Sequence, residues 1–143
     1  MTSIGWDYKL NPSVEIMKLQ RSKIFECMKA IHHEIADTGQ SCSHINGLLH
    51  QLKLLYQMHF LYEEQLLEEV NFPSAAEQKH LHDLFLESID QCRTESEQCH
   101  TLSFYNSFIN LRLDFVLNMN NETMMLCDFI KNNSGGDTTL TSH

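Results

Sequence analysis

Two histidines and a glutamate are the residues of this chain best placed to do chemistry. His59 and Glu63 stand four residues apart in the run HFLYEEQLLEEV, and His82 follows in AAEQKHLHDLF, beyond a break at Asn71-Phe72-Pro73. On a helix, residues four apart share a face. A histidine from a facing helix can meet such a pair inside a bundle, which is how helical bundles build carboxylate-bridged di-iron sites. Two imidazoles and a carboxylate also suit a single zinc or iron, with water completing the shell. Glu63 lies on an apolar stripe, and a buried carboxylate needs a partner.

The elements that position these groups follow from hydrophobic periodicity. Residues 1 to 15 have no helical period and are expected to form an extended arm across a bundle, anchored by Trp6, Tyr8 and Leu10. Met17, Arg21, Ile24, Met28, Ile31 and Ile35 recur at spacings of three and four, which predicts helix one over Val14 to Ala36. Asp37-Thr38-Gly39 ends it, with Gly39 as a left-handed cap. Ser41 or Ser43 caps helix two, whose stripe is Ile45, Leu48, Leu52, Leu55, His59, Glu63 and Leu66, and which runs to about Val70. Pro73 is expected in the first turn of helix three, with the stripe Gln78, His82, Phe85, Ile89 and Cys92. Helix four starts near Thr101 and carries Tyr105, Phe108, Arg112, Val116, Met119, Leu126 and Ile130. The expected fold is all-α, an up-down-up-down four-helix bundle with an extended N-terminal arm. One domain covers 1–131, and the polar stretch 132–143, NNSGGDTTLTSH, is expected to be a disordered tail.

Composition narrows the function classes. A chain of 143 residues with 42% hydrophobic residues makes one globular domain, and five Gly with two Pro leave long helices room to form. The formal net charge of −9 comes from 19 acidic against 10 basic residues, with no Lys/Arg cluster, so nucleic acid and membrane are not expected partners. No apolar run is long enough to span a bilayer, and MTSIGWDYKL lacks the apolar core of a signal peptide, so the expected location is cytoplasmic. A protein partner or a second copy of the chain is left open. The five cysteines, Cys27, Cys42, Cys92, Cys99 and Cys127, include no CxxC pair, and their odd, scattered count argues against a disulfide framework. Cys27, Cys92 and Cys127 read as small buried hydrophobes. Redox sensing through the cysteines would need a low-pKa exposed thiol. Asn121-Glu122-Thr123 and Asn132-Asn133-Ser134 match glycosylation sequons and are taken as chance. His32, His33, His44, His50 and His100 are expected to face solvent, as are Glu64, Glu68 and Glu69. With no phosphate loop and no nucleophile motif, the chain is not expected to be an enzyme.

From Trp6 to Ile130 the chain resembles the hemerythrin family. Trp6-Asp7 with Leu10 matches its W-D-x-x-L opening, and His59-Phe60 with Glu63-Glu64 matches its HF-x-x-EE. Phe72-Pro73, then His82 and Phe85, keep the frame that follows, and Asp114-Phe115-Val116-Leu117-Asn118 is close to D-W-L-x-N. The resemblance implies a four-helix bundle in which five histidines and two carboxylates hold two irons that bind O2. Three of those seven positions match here: His59, the bridging Glu63, and His82. The others depart. The helix-one Gln-His pair is Gln20-Arg21, and the histidine four before His82 is Gln78. The helix-four H-I-x-x-x-D runs from Met119 to Met124, or from Asn118 to Thr123 if the register slips by one. His80 points away from His82, and Glu122 lies one position off the frame.

These departures predict that no O2-binding di-iron centre forms and that no cofactor is required. Arg21 is expected to stand where metal charge would be and to pair with Glu63 through its planar fork. Met119 and Met124 would fill the remaining volume. Members of this family occur alone or fused to signalling domains, so the resemblance implies a bacterial sensor or adaptor. The alternative is a protein that holds a single Fe or Zn through His59, Glu63 and His82, a choice that a nearby Arg21 would oppose.

Overall fold

The computed structural model describes residues 2–37, 42–99 and 101–141, with side chains over 12–37, 42–99 and 101–132. Its helices are α1 (Thr2–Ala36), α2 (Cys42–Glu69), α3 (Ala75–Glu95), α4 (Leu102–Asp114) and α5 (Asn120–Thr141). A π-helical segment, Phe115–Met119, joins α4 to α5 without a break, so the two form one rod. A short 3-10 turn, Ser96–Gln98, follows α3. α1 packs on α2, α2 on α3 and α3 on α4, and α5 closes the ring against α1. This is the expected four-helix bundle. Among the described residues, no strand occurs and no helix is long and apolar enough to cross a membrane.

The ends of the elements differ from expectation in instructive places. The stretch expected as an extended arm is helical: α1 begins at Thr2 and carries Pro12 inside it. Once a helix is nucleated by the packed turns from Val14 onward, each further residue adds a hydrogen bond, and a single Pro removes only one donor. The side chains of Trp6, Tyr8 and Leu10 lie outside the described residues, as do Gly39, Ser41 and His100. Ser43 falls inside α2 rather than capping it. α5 likewise continues through 132–141, the stretch expected as a disordered tail.

Pro73 does not open helix three. α2 ends in a Schellman-type turn, with Asn71 at φ 55°, Phe72 N–H donating to the Leu67 carbonyl at 2.9 Å and Asn71 N–H to that of Glu68 at 3.2 Å. Asn tolerates this left-handed conformation better than most residues. Pro73 then holds Phe72 out of helical conformation, so α3 starts at Ala75 with Ser74 as its N-cap. α4 starts beside Thr101 as expected, and Thr101 is its N-cap, its hydroxyl accepting from Phe104 N–H at 3.2 Å.

The core is two apolar clusters. The larger gathers Ile24, Met28 and Ile31 of α1, Leu49, Leu52, Tyr56 and Phe60 of α2, Phe85 and Ile89 of α3, and Phe104, Phe108, Phe115 and Met119 of the fourth rod. The smaller joins Val14, Met17, Leu66, Leu67, Val70, Leu126, Cys127 and Ile130. On α4 the buried stripe is Phe104, Phe108, Leu111 and Phe115, whereas Tyr105 and Val116 are exposed. Tyr105, Arg112 and Val116 of the expected stripe are therefore one residue out, while Phe108, Met119, Leu126 and Ile130 are buried as expected.

Cys42 and Cys99 form a disulfide, with Cα atoms 5.3 Å apart, against the expectation of five thiols. Their separation of 57 residues hides the pairing. Topology reveals it, because the α1–α2 and α3–α4 connections of an up-down bundle share one end. Cys27, Cys92 and Cys127 are free and buried, and burial pushes the Cys27 and Cys92 thiols up to about 11 and about 12. The unfolded protein without reductant should titrate as three thiols, and as five after reduction. Cys42→Ser should lower stability by about 2–4 kcal/mol in a denaturant titration under non-reducing conditions; five thiols before reduction would contradict the bond.

Candidate metal centre

A polar layer separates the two apolar clusters, and α1, α2, α3 and α5 all contribute to it. It is assembled from Gln20 of α1, His59, Glu63 and Glu64 of α2, Gln78 and His82 of α3, and Glu122 and Thr123 of α5. His59, Glu63, His82 and Thr123 are each 1% exposed. On α2 the layer lies between Tyr56 of the larger cluster and Leu66 of the smaller; on the fourth rod it lies between Met119 and Leu126.

Glu63 sits at the centre. Its Oε2 is 3.1 Å from His59 Nε2 and accepts from the Thr123 hydroxyl at 2.5 Å, while its Oε1 is 3.2 Å from His82 Nε2. His82 Nε2 also lies 2.8 Å from Glu122 Oε1. Ligand atoms of Glu63, His82 and Glu122 all lie within 4.8 Å of one another, the spacing a metal ion could gather. Each histidine is fixed from behind: His59 Nδ1 is 2.8 Å from Gln20 Oε1, and His82 Nδ1 is 2.9 Å from Glu64 Oε2. Phe60 stacks on the His82 ring at 3.9 Å with a 3° interplanar angle. A histidine whose outer nitrogen is held by a carboxylate while its inner nitrogen faces acidic oxygens has the arrangement of metal-ligating histidines.

The π-helical segment brings in the α5 residues. A π turn takes up more residues than an α turn, so everything after Met119 is rotated relative to a regular helix. Glu122 and Thr123 then both face the layer, and Met124 turns out to 38% exposure.

The electrostatics are strongly coupled. Burial alone would push Glu63 up, but hydrogen bonds from His59 and His82 outweigh it and hold the carboxyl at about 2. Burial would lower His82, yet its bonds to Glu122, Glu63 and Glu64 raise it to about 10. Burial is the larger effect on Glu122 and pushes it up, against the pull of His82. Three carboxyl groups thus surround the His82 imidazole, Glu64 half-buried and Glu122 drawn toward its neutral form by burial, a set of oxygen and nitrogen donors that suits a cation. Gln78 Oε1, one turn before His82 on α3, is buried without a hydrogen-bond partner, which leaves a further oxygen facing inward chemistry unsatisfied.

Arg21 does not pair with Glu63. It is half-buried at the bundle surface, and its Nη1 meets Met124 Sδ there. Gln20, its neighbour, reaches the layer instead. Met119 is buried, but in the larger apolar cluster rather than in the site. The expectation that Arg21, Met119 and Met124 fill the site is therefore corrected: Gln20, Thr123 and Glu122 border it. Gln78 faces inward at its expected place, and His80 is exposed. Glu64, expected on a solvated face, is instead half-buried behind His82. Its adjacency to Glu63 and its place in the HF-x-x-EE run were the signals for it. Glu122 was noticed one position off the frame, and a π turn is the physical reason the frame slips.

The chain is similar in sequence to bacteriohemerythrins. It is 25% identical over 93 residues to those of Stenotrophomonas maltophilia (strain R551-3) and Pseudomonas paraeruginosa (strain DSM 24068 / PA7), a match covering 65% of this chain. The chain spans 60% of the length of these curated relatives. No family model and no solved structure matches.

Two outcomes follow. Arg21→Met should cost less than about 1 kcal/mol in a denaturant titration, as expected of a surface side chain; a loss of about 3–5 kcal/mol would instead mark a broken buried pair. The metal-free protein should also show a stability plateau in pH. The Glu63 contribution is present above its ordinary 4.5 and is lost as pH falls through about 2. The His82 contribution is complete below its ordinary 6.5 and is lost as pH rises through about 10. Glu122, favoured neutral by burial, works the other way and trims the gain just above 4.5. Thermal midpoints measured from pH 2 to pH 10 should peak between 4.5 and 6.5; a flat profile above 6.5 would contradict the His82 network.

Proposed function

We propose that the protein is a non-catalytic, hemerythrin-like binding module whose core takes up a single iron or zinc ion rather than an O2-binding di-iron pair. Glu63, His82 and Glu122 would hold the ion, with Glu122 in the place first given to His59. The observation that carries this is the convergence of those three buried side chains, with His82 anchored from behind by Glu64. Imidazole with carboxylates suits either metal. When bound, the ion supplies positive charge among three crowded carboxyl groups. Glu63 then links α2 to the ion, His82 links α3 and Glu122 links α5, so occupancy would tie three helices together. A module of this kind suits a cytoplasmic metal-dependent sensor or adaptor acting on a protein partner or on a second copy of the chain. The family likeness to bacteriohemerythrins supports an iron-related role.

A second reading is a metal-free module. It is favoured by the hydrogen bonds that His82, Glu63 and Glu122 already make to one another.

Elemental analysis of protein purified without added metal, together with its visible spectrum, separates the readings. The expected result is up to one ion per chain and no oxo-bridged charge-transfer band after ferrous loading and air. Two irons with that band would overturn the single-ion reading, and no uptake of either metal would favour the metal-free module. Glu64→Gln, which alters only the support behind His82, should weaken metal binding by about tenfold or more; an unchanged affinity by competition with a chelating dye would argue that His82 is not a ligand.

A further inference from the structure

We propose that the outer side of the fourth rod is an interface for a second copy of this chain, the two rods packing parallel about a two-fold axis along a seam from Leu102 to Val116. The inference concerns the surface of the bundle and holds whether or not the core takes up an ion.

The rod carries two apolar stripes. Phe104, Phe108, Leu111 and Phe115 recur at alternating spacings of four and three and are buried in the bundle. Leu102, Asn106, Ile109, Leu113 and Val116 repeat that spacing two residues out of step, about 200° around the helix. Leu102 is 73% exposed, Leu113 52% and Val116 40%; Asn106 is exposed and Ile109 half-buried. Tyr105 and Leu117 flank this outer stripe and are exposed as well. Alternating steps of four and three make the a/d seam of a coiled coil, with Asn106 and Leu113 at a and Leu102, Ile109 and Val116 at d. About two heptads are too few for free peptides. This helix is already ordered by its own bundle, so the ordering cost is not met again on association.

Charge says what meets the seam. Twelve residues between Leu102 and Met125 are exposed on this rod, and none of them is charged. A basic or acidic partner finds no complement there. Two copies of a chain with net charge −9 repel one another, and a face without charge is where they can meet closely.

Asn106 sets the orientation. A side-chain amide covered in such a seam needs a partner. In a parallel pair it meets its own copy, and each amide offers a donor and an acceptor to its twin. In an antiparallel pair it would face an apolar side chain instead. A single Asn at an a position fixes register and strand number in this way. β-branched residues at d, here Ile109 and Val116, suit larger assemblies of free helices, but the packed inner side of this rod leaves room for one facing helix. Arg112, half-buried at one edge of the seam, would lie against Leu117 of the second copy, with the two arginines on opposite edges.

Sedimentation velocity of the full chain, as purified and from micromolar to millimolar concentration, tests the interface. The wild type should pass from the mass of one chain to that of two. Leu113→Glu, a change at an exposed position, should keep its helicity and associate about tenfold or more weakly. Asn106→Leu should associate more tightly, because the polar layer costs stability. Leu54→Glu, on the outer face of α2 where Leu54 is 47% exposed, should behave as wild type. Under mild oxidation, Ile109→Cys and Val116→Cys should each crosslink to its own copy, as a parallel axis requires. A wild type that stays monomeric at millimolar concentration would overturn the proposal. So would a Leu113→Glu protein that dimerises normally, an Asn106→Leu protein that dimerises less, a dimer lost in Leu54→Glu, or crosslinks that form only when the two cysteine variants are mixed.

Discussion

Everything in the middle of this bundle answers to the Glu63 carboxylate. It is 1% exposed on a helix face that otherwise carries Leu52, Tyr56 and Leu66. An ionised group in such a place costs several kcal/mol unless it is paired and hydrogen-bonded. The bundle meets that demand from three directions, with His59 from its own helix, His82 from α3 and Thr123 from α5. These donors then need partners of their own, and Gln20, Glu64 and Glu122 supply them. One buried charge thereby fixes the rotation of all four helices about their axes, because each must present a particular polar residue at one level.

That requirement explains the division of the core. A hydrogen-bonded layer contributes less apolar burial than the Phe and Leu layers above and below it. It compensates through directional bonds that only one register of the four helices can make. The larger cluster, dense in aromatic contacts such as Tyr56 with Phe85 at 4.3 Å, carries the greater share of the apolar burial. The Cys42–Cys99 bond lies at the end of the bundle where the α1–α2 and α3–α4 connections meet. The greater share of the apolar burial and the disulfide thus lie away from the polar layer.

The sequence showed the bundle plainly because helix periodicity is a local signal. Met17, Ile24, Met28 and Ile31 on α1, and Phe85, Ile89 and Cys92 on α3, fall inward as spacing alone demands. His59, Glu63 and His82 stood out for the same reason, as polar residues on apolar stripes. What stayed hidden depended on contacts between distant segments or on backbone geometry. A π turn leaves no mark on composition, so the frame of the fourth helix slipped near Met119 and with it the roles of Glu122 and Thr123. Arg21 and Gln20 are neighbours on α1, and which of them reaches the layer is decided by a helix rotation that spacing fixes only coarsely. The Cys42–Cys99 pairing needs the topology before it can be seen. The beginning of α1 was misjudged because a missing apolar period is weak information about a helix already nucleated further along.

The change in the identity of the bordering residues alters what kind of site this is. Had Arg21 occupied the layer, its guanidinium would have balanced Glu63 permanently, since that group keeps its charge at any ordinary pH, and the core would have been closed to cations. The layer instead carries Glu63, Glu64 and Glu122 against His82, with Gln20 and Thr123 contributing dipoles but no charge. A hydrogen-bonded proton can be exchanged for a metal ion, whereas a fixed arginine cannot. The same residues that satisfy the buried carboxylate in the metal-free state are those that would grip an ion. On the proposed reading, the ion would take the place of the proton on His82 Nε2, between carboxyl oxygens already within reach. On the proposed single-ion reading, a core of this design would hold together without metal and respond to it, the physical requirement for a sensor rather than for a structural metal site that folds only when loaded.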